Sequence, residues 1–438
     1  MPGTLLPEEA ERAIAAIRAT DLVVGIPSYN DSRTVGHVVR AAQAGLTKYF
    51  PQYSSIIINS DGGSRDGTRE AVVSTRLDDS NLLMLSTHSS PGQGSAFRTI
   101  FEVARRLGAK VCIVVDSDLR SFAPEWIDLL GRPILYGGYD LAVPYYHRHK
   151  YDGTITNSIV YPMTRALYGA RIRQPVGSDF GLSRRLIARY LDRDDWETDV
   201  ARYGIDIWMT TIAIAEEFRV CQSFLGARLN DGKGPSNNLS AMLHQVAGSV
   251  FTLMEEYYEL WSRLSRSQPV EVFGFPFDVG IDPIQVNVDR MVKSFRTGFR
   301  ELDEVWSMAL HPDTQRELLA LDRVLARGGR FHLPDDVWAR VLIEFASAQR
   351  FRPLERSQLL RSLTPLYLAR VASFVIETEH LNSTEVEAVH EKFCLCLEEM
   401  KPYLTSRWRG EAADPPRRAH AASGGAPEEQ GLEANLEV

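Results

Sequence analysis

Two carboxylates one residue apart, Asp116 and Asp118, close the apolar run Val111, Cys112, Ile113, Val114 and Val115. Hard oxygen donors at that spacing can hold Mg2+ or Mn2+ against the phosphates of a nucleotide, where the metal neutralises charge on a departing diphosphate. An unbroken β-branched run predicts a strand covered on both faces of a parallel sheet, delivering both carboxylates to its tip. Ligands of open α/β sheets gather at that end. An isolated Asp-x-Asp is more often a solvated acidic turn, so its neighbours decide its meaning.

Three further junctions follow apolar runs. Pro27, Ser28, Tyr29 and Asn30 precede Asp31 and a helix opening with Arg33 and Thr34. Free N–H groups at such a junction favour an anion, and Tyr29 offers a ring for a base, while Asn30 or Asp31 would also serve as an ordinary helix cap. The segment Asn59 to Thr68 places Asp61 at a strand tip before a Gly-Gly turn, where it can accept hydrogen bonds from a base or ribose. In Ser89 to Phe97, Gly92 and Gly94 flank Gln93 and would let a ligand approach the backbone. The spacing matches neither a Walker loop nor a dinucleotide fingerprint.

These loops need a scaffold. Leu22–Ile26, Ser55–Asn59, Leu82–Ser86, Val111–Val115 and Leu141–Pro144 read as strands. Arg33–Ala44, Thr68–Thr75 and Gly94–Leu107 between them carry helical spacing, so an α/β fold with a mostly parallel sheet and crossover helices is expected over residues 21–239. Residues 1–20 read as an N-terminal amphipathic helix. Residues 240–406 read as an all-helical C-terminal region, with helices at Met242–Leu264, Val286–Leu310, Asp313–Leu325, Asp335–Ala348, Glu355–Glu377 and Ser383–Met400. Residues 407–438, rich in Ala, Gly, Pro, Glu and Arg, read as a disordered tail.

Composition narrows the class. The chain has 438 residues, 44% of them hydrophobic and 24% charged, which suits a soluble globular protein with sizeable cores. A formal charge of -8 argues against a nucleic-acid partner. No apolar run of 18 residues occurs, so no membrane span is expected, and the four cysteines (Cys112, Cys221, Cys394, Cys396) suit reduced thiols in the cytoplasm. His244, on an apolar helical face, reads as a packed core histidine, and the Cys394 and Cys396 pair as structural.

With Gly25 to Asn30, Asp61 to Thr68, and Asp116 to Asp118 in this order, the chain resembles nucleotide-sugar glycosyltransferases of the GT-A fold. Pro91 to Ala96, Asp116 to Leu119, Gln174 with Pro175, Asp179, Ser183 with Arg184, and Tyr203 to Asp206 resemble more narrowly the retaining glucosyl-3-phosphoglycerate synthase and glucosylglycerate synthase group. That resemblance implies Mg2+ or Mn2+ as cofactor, catalytic roles for Asp116, Asp118 and Asp179, and nucleotide-sugar contacts from Pro27, Tyr29, Asn30, Asp61, Gly92, Gln93, Gly94 and Ser117. It further implies acceptor contacts from Thr154, Thr156 and Asp206, and a metal site of Asp116, Asp118, Asn230 and Asp231.

The chain departs from that group at three places. Gln93 stands where the group has a lysine, Asn230 where it has a metal-binding histidine, and Thr154 where its acceptor loop has a phosphate-binding arginine. Losing a guanidinium from a phosphate site, with Asp152 nearby, points to an unphosphorylated acceptor such as D-glycerate. His147, Arg148, His149 and Lys150 precede this loop and offer replacement cations, or are simply a solvated basic loop.

The expected activity is transfer of glucose from UDP- or GDP-glucose to a small hydroxy acid. Glucosyl-3-phosphoglycerate and mannosylglycerate synthesis are the near alternatives. An inverting transferase acting on a lipid or polysaccharide, with Asp179 or Asp206 as base, is a more distant one, and a nucleotide-sugar-binding scaffold is the non-enzymatic one. The helical region is left with two roles, forming a homodimer or covering the acceptor cleft.

Overall fold

The computed structural model describes residues 8–17, 19–75, 82–86, 92–230, 239–275, 284–412 and 414–416. Asp231, Ser89 to Pro91 and the expected tail beyond residue 416 lie outside them.

Alternating apolar runs and amphipathic stretches become alternating strands and helices. The chain runs through α1 (Glu8–Ala16), β1 (Leu22–Ser28), α2 (Val35–Tyr49), β2 (Ser55–Asp61), α3 (Thr68–Val73) and β3 (Leu82–Ser86). It continues with α4 (Gln93–Leu107), β4 (Val111–Val114), α5 (Glu125–Leu135) and β5 (Leu141–His147). A π-helical turn at Thr156–Val160 leads to α6 (Tyr161–Tyr168), β6 (Ala170–Arg171), β7 (Phe180–Ser183), α7 (Arg184–Leu191), α8 (Ile205–Ala215) and β8 (Val220–Ala227). Then come α9 (Leu239–Glu256), α10 (Tyr258–Trp261), β9 (Gln268–Pro269) and β10 (Val272–Phe273). The remainder is helical: α11 (Val288–Glu301), α12 (Asp303–Ala309), α13 (Pro312–Ala326), α14 (Asp335–Phe351), α15 (Arg356–Thr378), α16 (Ser383–Glu399) and α17 (Lys401–Trp408).

The eight-stranded sheet has the order β10-β8-β5-β7-β4-β1-β2-β3. β1 lies between β2 and β4, parallel to both, and every residue of β1 and β4 is buried, as continuous apolar runs require. β7 is the exception. It runs antiparallel between β4 and β5, so the residue before its first position, Asp179, lies at the edge where β4 ends. Local pattern does not show this reversal, because it is set by pairing partners distant in sequence.

Apolar side chains of α2 and α5 fill one face of the sheet, and those of α4, α7 and α8 fill the other. The helical region's core is continuous with the preceding part of the chain. Ile155, Ile159, Met163, Leu167 and Ile207 are buried in one cluster with Trp338, Leu363, Tyr367 and Trp408. Two of the long helices expected from periodicity are broken: Met242–Leu264 ends at Glu256 and restarts at Tyr258, and Val286–Leu310 is interrupted at Leu302. By length and composition α15 could cross a membrane, although the sequence reading found no such run. Here Leu363, Leu366 and Tyr367 sit in the protein core instead.

Candidate active site at the tip of β4

The four loops expected to cluster are tied together by side-chain to backbone bonds, which is how irregular segments at strand ends satisfy their polar groups. Asp31 accepts from the Tyr29 amide at 3.0 Å and from the Ser117 hydroxyl at 2.6 Å, joining the β1 loop to the β4 loop. Asn30 adopts a left-handed conformation (φ 56°), its amide donating to Ser64 and its side-chain oxygen accepting from the Arg65 amide. Asp61 is buried and accepts from the Gly63 and Ser64 amides and the Ser64 hydroxyl. Its described contacts thus shape the turn. Pro27 is buried within β1, whereas Tyr29 is 57% exposed beside Gly62.

Gly92 and Gly94 allow a close approach of two backbone segments. A Cβ on Gly92 would lie 2.2 Å from the Ala201 carbonyl oxygen, and one on Gly94 only 1.7 Å from that of Val200. The backbone of a neighbouring 3-10 turn fills the Cβ position of both glycines. Gln93 reaches across to donate to the Ser178 hydroxyl at 2.8 Å.

At the centre lies Arg228, immediately after β8, which the sequence reading passed over. Its guanidinium donates to Asp116 at 2.6 Å, to Asp179 at 2.9 Å and to the Gly177 carbonyl at 2.8 Å. Asp179 is fully buried, accepting also from the Asp116 amide at 2.8 Å and from the Tyr146 hydroxyl. Burial pushes the pKa of Asp179 up and Arg228 opposes that shift. Tyr146 keeps its proton, because burial and the Asp179 carboxylate both raise its pKa. A charged or phenolic residue at the end of an apolar strand was the available signal for both Arg228 and Tyr146.

Asp206, expected as an acceptor contact, lies in the first turn of α8 and accepts from the Gly177 and Ser178 amides at 3.1 and 3.0 Å. It thereby stabilises Ser178 in a left-handed conformation (φ 64°) costly for a non-glycine residue. Burial, with the Asp116 charge adding to it, pushes the pKa of Asp206 up to about 7. The Thr154 hydroxyl meets the Tyr367 hydroxyl at 2.5 Å, and Thr156 lines a cavity beside β5. His244 is half-buried and hydrogen-bonded to Ser240 and Thr364 rather than packed in the core.

Asp118 differs from its neighbours. Its hydrogen-bond partner among the described residues is the Asn230 carboxamide, which donates to both its oxygens at 3.2 and 3.1 Å. Burial and the nearby Asp116 charge push its pKa up to about 6. Among the described residues no group of three His, Cys, Asp or Glu side chains forms a metal site, and Asp116, expected as a ligand, is held by Arg228. The donors that fit a hard cation here are the Asp118 carboxylate and, with its amide turned over, the Asn230 carbonyl oxygen, leaving positions for phosphate and water oxygens.

Residues 23–195 match the family model described as Glycosyl transferase family 2. That match places the β1, β2 and β4 loops and Asp179 within a segment similar to glycosyl transferases of that family. A curated relative, "Glycosyltransferase AglD" of Haloferax volcanii, is 26% identical over 136 residues, and the match covers 31% of this chain and 21% of that protein. The chain thus spans about a fifth of the length of that relative. Similar solved structures include glucosyl-3-phosphoglycerate synthase from Mycobacterium tuberculosis with Mn2+, UDP and phosphoglyceric acid (TM-score 0.43, 22% identity, 58% of this chain and 84% of that one). The same enzyme with Mg2+ and UDP gives a TM-score of 0.42 at 21% identity, covering 58% of this chain and 84% of that one. The matched segment contains Asp116, Asp118 and Asp179, whereas Asp206, Arg228 and Asn230 lie beyond it.

Proposed function

We propose that the chain is a metal-dependent retaining glycosyltransferase that moves glucose from UDP- or GDP-glucose to D-glycerate. The observation that carries this reading is Asp118, a largely enclosed carboxylate at a strand tip, facing a neutral carboxamide in a family 2 domain. A cation is the partner that such a carboxylate lacks. Held by Asp118 and Asn230, Mg2+ or Mn2+ supplies Lewis-acid stabilisation of the departing diphosphate. Arg228, pinned between Asp116 and Asp179, adds a permanently charged guanidinium whose position is fixed before substrate arrives.

Retention of configuration is supported by the state of the nearby carboxylates. Asp179 is enclosed and accepts from three donor groups, and Asp206 holds the Gly177–Ser178 turn, so neither is placed as a nucleophile or general base. A front-face substitution, with the leaving phosphate taking the acceptor's proton, asks the protein only to position and stabilise. Thr154 in place of an arginine supports an acceptor without a phosphate. The free thiols of all four cysteines support a cytoplasmic setting.

The test is product formation from UDP- and GDP-sugars with Mg2+ or Mn2+, offering D-glycerate and 3-phosphoglycerate side by side. Transfer to D-glycerate that disappears in Asp118→Ala is expected. Transfer to the phosphorylated acid alone would overturn the acceptor, and turnover unaffected by chelation would overturn the metal.

A further inference from the structure

Beside the β4 site lies a cavity of about 360 Å³, bounded by the end of β5, the following loop and the first turn of α16. The basic residues lining it are not equally available. Lys150 donates to the carbonyls of Thr378, Glu379 and Leu381 at and just past the end of α15. Arg173 is paired bidentately with Glu387 and also donates to Asn157. Arg148 is different: among the described residues it makes no hydrogen bond, and its Nε is buried without a partner. Its nearest carboxylate, Asp152, is 3.7 Å away and half-turned to the Gly153 amide.

A half-buried guanidinium whose enclosed Nε has no partner is well placed to take an anion, and two features would welcome one. Ser383 and Thr384 at the start of α16 line the same cavity, bringing the positive end of a 17-residue helix to it. Arg148 and Arg228 both stack on the Tyr146 ring, at 4.9 and 5.2 Å, so the cavity adjoins the guanidinium that binds Asp116 and Asp179. Burial, with Arg228 adding to it, lowers the Arg148 pKa, as expected of a cation short of counter-charge.

We propose that this cavity is the anion pocket of the acceptor site, and that Arg148 grips the acidic group of a short hydroxylated acid through its unused donors. Arg148 thus takes over the charge that Thr154 does not supply. The inference rests on the glycosyltransferase reading, and the shared chemistry is an anion on a small polyol, either a carboxylate or a phosphate ester.

Calorimetric titration of D-glycerate, 3-phosphoglycerate and neutral glycerol into the full chain, with Mn2+ and UDP or GDP present, tests it directly. Wild type is expected to bind one of the acids and not glycerol. Arg148→Gln should weaken that binding at least tenfold, the weight of one charge-assisted hydrogen bond. Arg148→Lys, which keeps the charge but not the fork, should recover part of it, and in turnover the loss should fall on KM more than on kcat. Whichever acid binds identifies the anion. Equal affinity in wild type and Arg148→Gln, or no binding of either acid to wild type at millimolar concentration, overturns the proposal. Absence of sugar transfer would instead count against the function and leave these binding results readable.

Discussion

Arg228 shows how much one side chain can organise at a strand end. It is 9% exposed, and its two ion pairs join the end of β8 to the tip of β4 and to the start of β7. Removing one member of a buried charge network leaves the others uncompensated, which typically costs about 3–5 kcal/mol. Arg228→Ala should therefore lower stability by about that amount and abolish turnover. Arg228→Lys, unable to bridge two carboxylates, should retain part of the stability and little of the activity. Chemical denaturation beside an activity assay checks both, and a variant as stable as wild type would show that Asp179 is neutral without its partner.

Among the elements, the junction of α4 with the turn Asp199–Ala201 is the tightest near the site. The glycines before and within the first turn of α4 let its backbone touch the Val200 and Ala201 carbonyls, and Gln93 between them braces Ser178. Gly94→Ala would force helix and turn apart, with an overpacking cost of about 1–3 kcal/mol. Activity should fall too, because Gln93 would lose its reach to Ser178. The same substitution at Gly108, which has nothing within 4 Å of its Cβ position but a left-handed φ of 72°, separates crowding from backbone strain. Thermal melts of the two variants give the comparison, and equal losses would refute crowding as the cause.

Across the whole molecule, the helical region forms a wall against the chain that follows β5. The Trp338 indole donates to the Ser158 carbonyl in the π-helical turn, and Thr154 meets Tyr367. His390, stacked on Phe374 in this wall, is nearly enclosed, and burial together with Arg173 depresses its pKa from 6.5 to about 3 despite the opposing Glu387 charge. The unfolded chain therefore binds a proton that the folded one refuses. The stability from a neutral His390 is complete above pH 6.5 and lost as the pH falls toward 3. At pH 5 the loss is about 2 kcal/mol. His390→Gln, neutral throughout, should lose that much less stability than wild type between pH 7 and 5, measured by denaturation at each pH. Parallel losses would assign the acid sensitivity to another group.

Much of this was legible along the chain. The runs Leu22–Ile26 and Val111–Val115 specify buried parallel strands through local hydrophobicity alone, and carboxylates immediately after such runs must lie at strand tips, as Asp61, Asp116 and Asp118 do. The helical texture after residue 240 was equally plain, because helix periodicity is local. Partnership was not. Whether Asp179 is a solvated loop residue or a buried acceptor depends on β7 pairing antiparallel between β4 and β5. Whether Gly94 faces a ligand or Val200 depends on two segments more than 100 positions apart. Which of the basic residues around Lys150 keeps its charge for an anion depends on what the distant ends of α15 and α16 offer Lys150 and Arg173. Hydrophobic pattern fixes where a side chain sits along its own element, but hydrogen bonds and burial belong to pairs of residues, and those pairs are chosen only when the sheet and the helical wall close together.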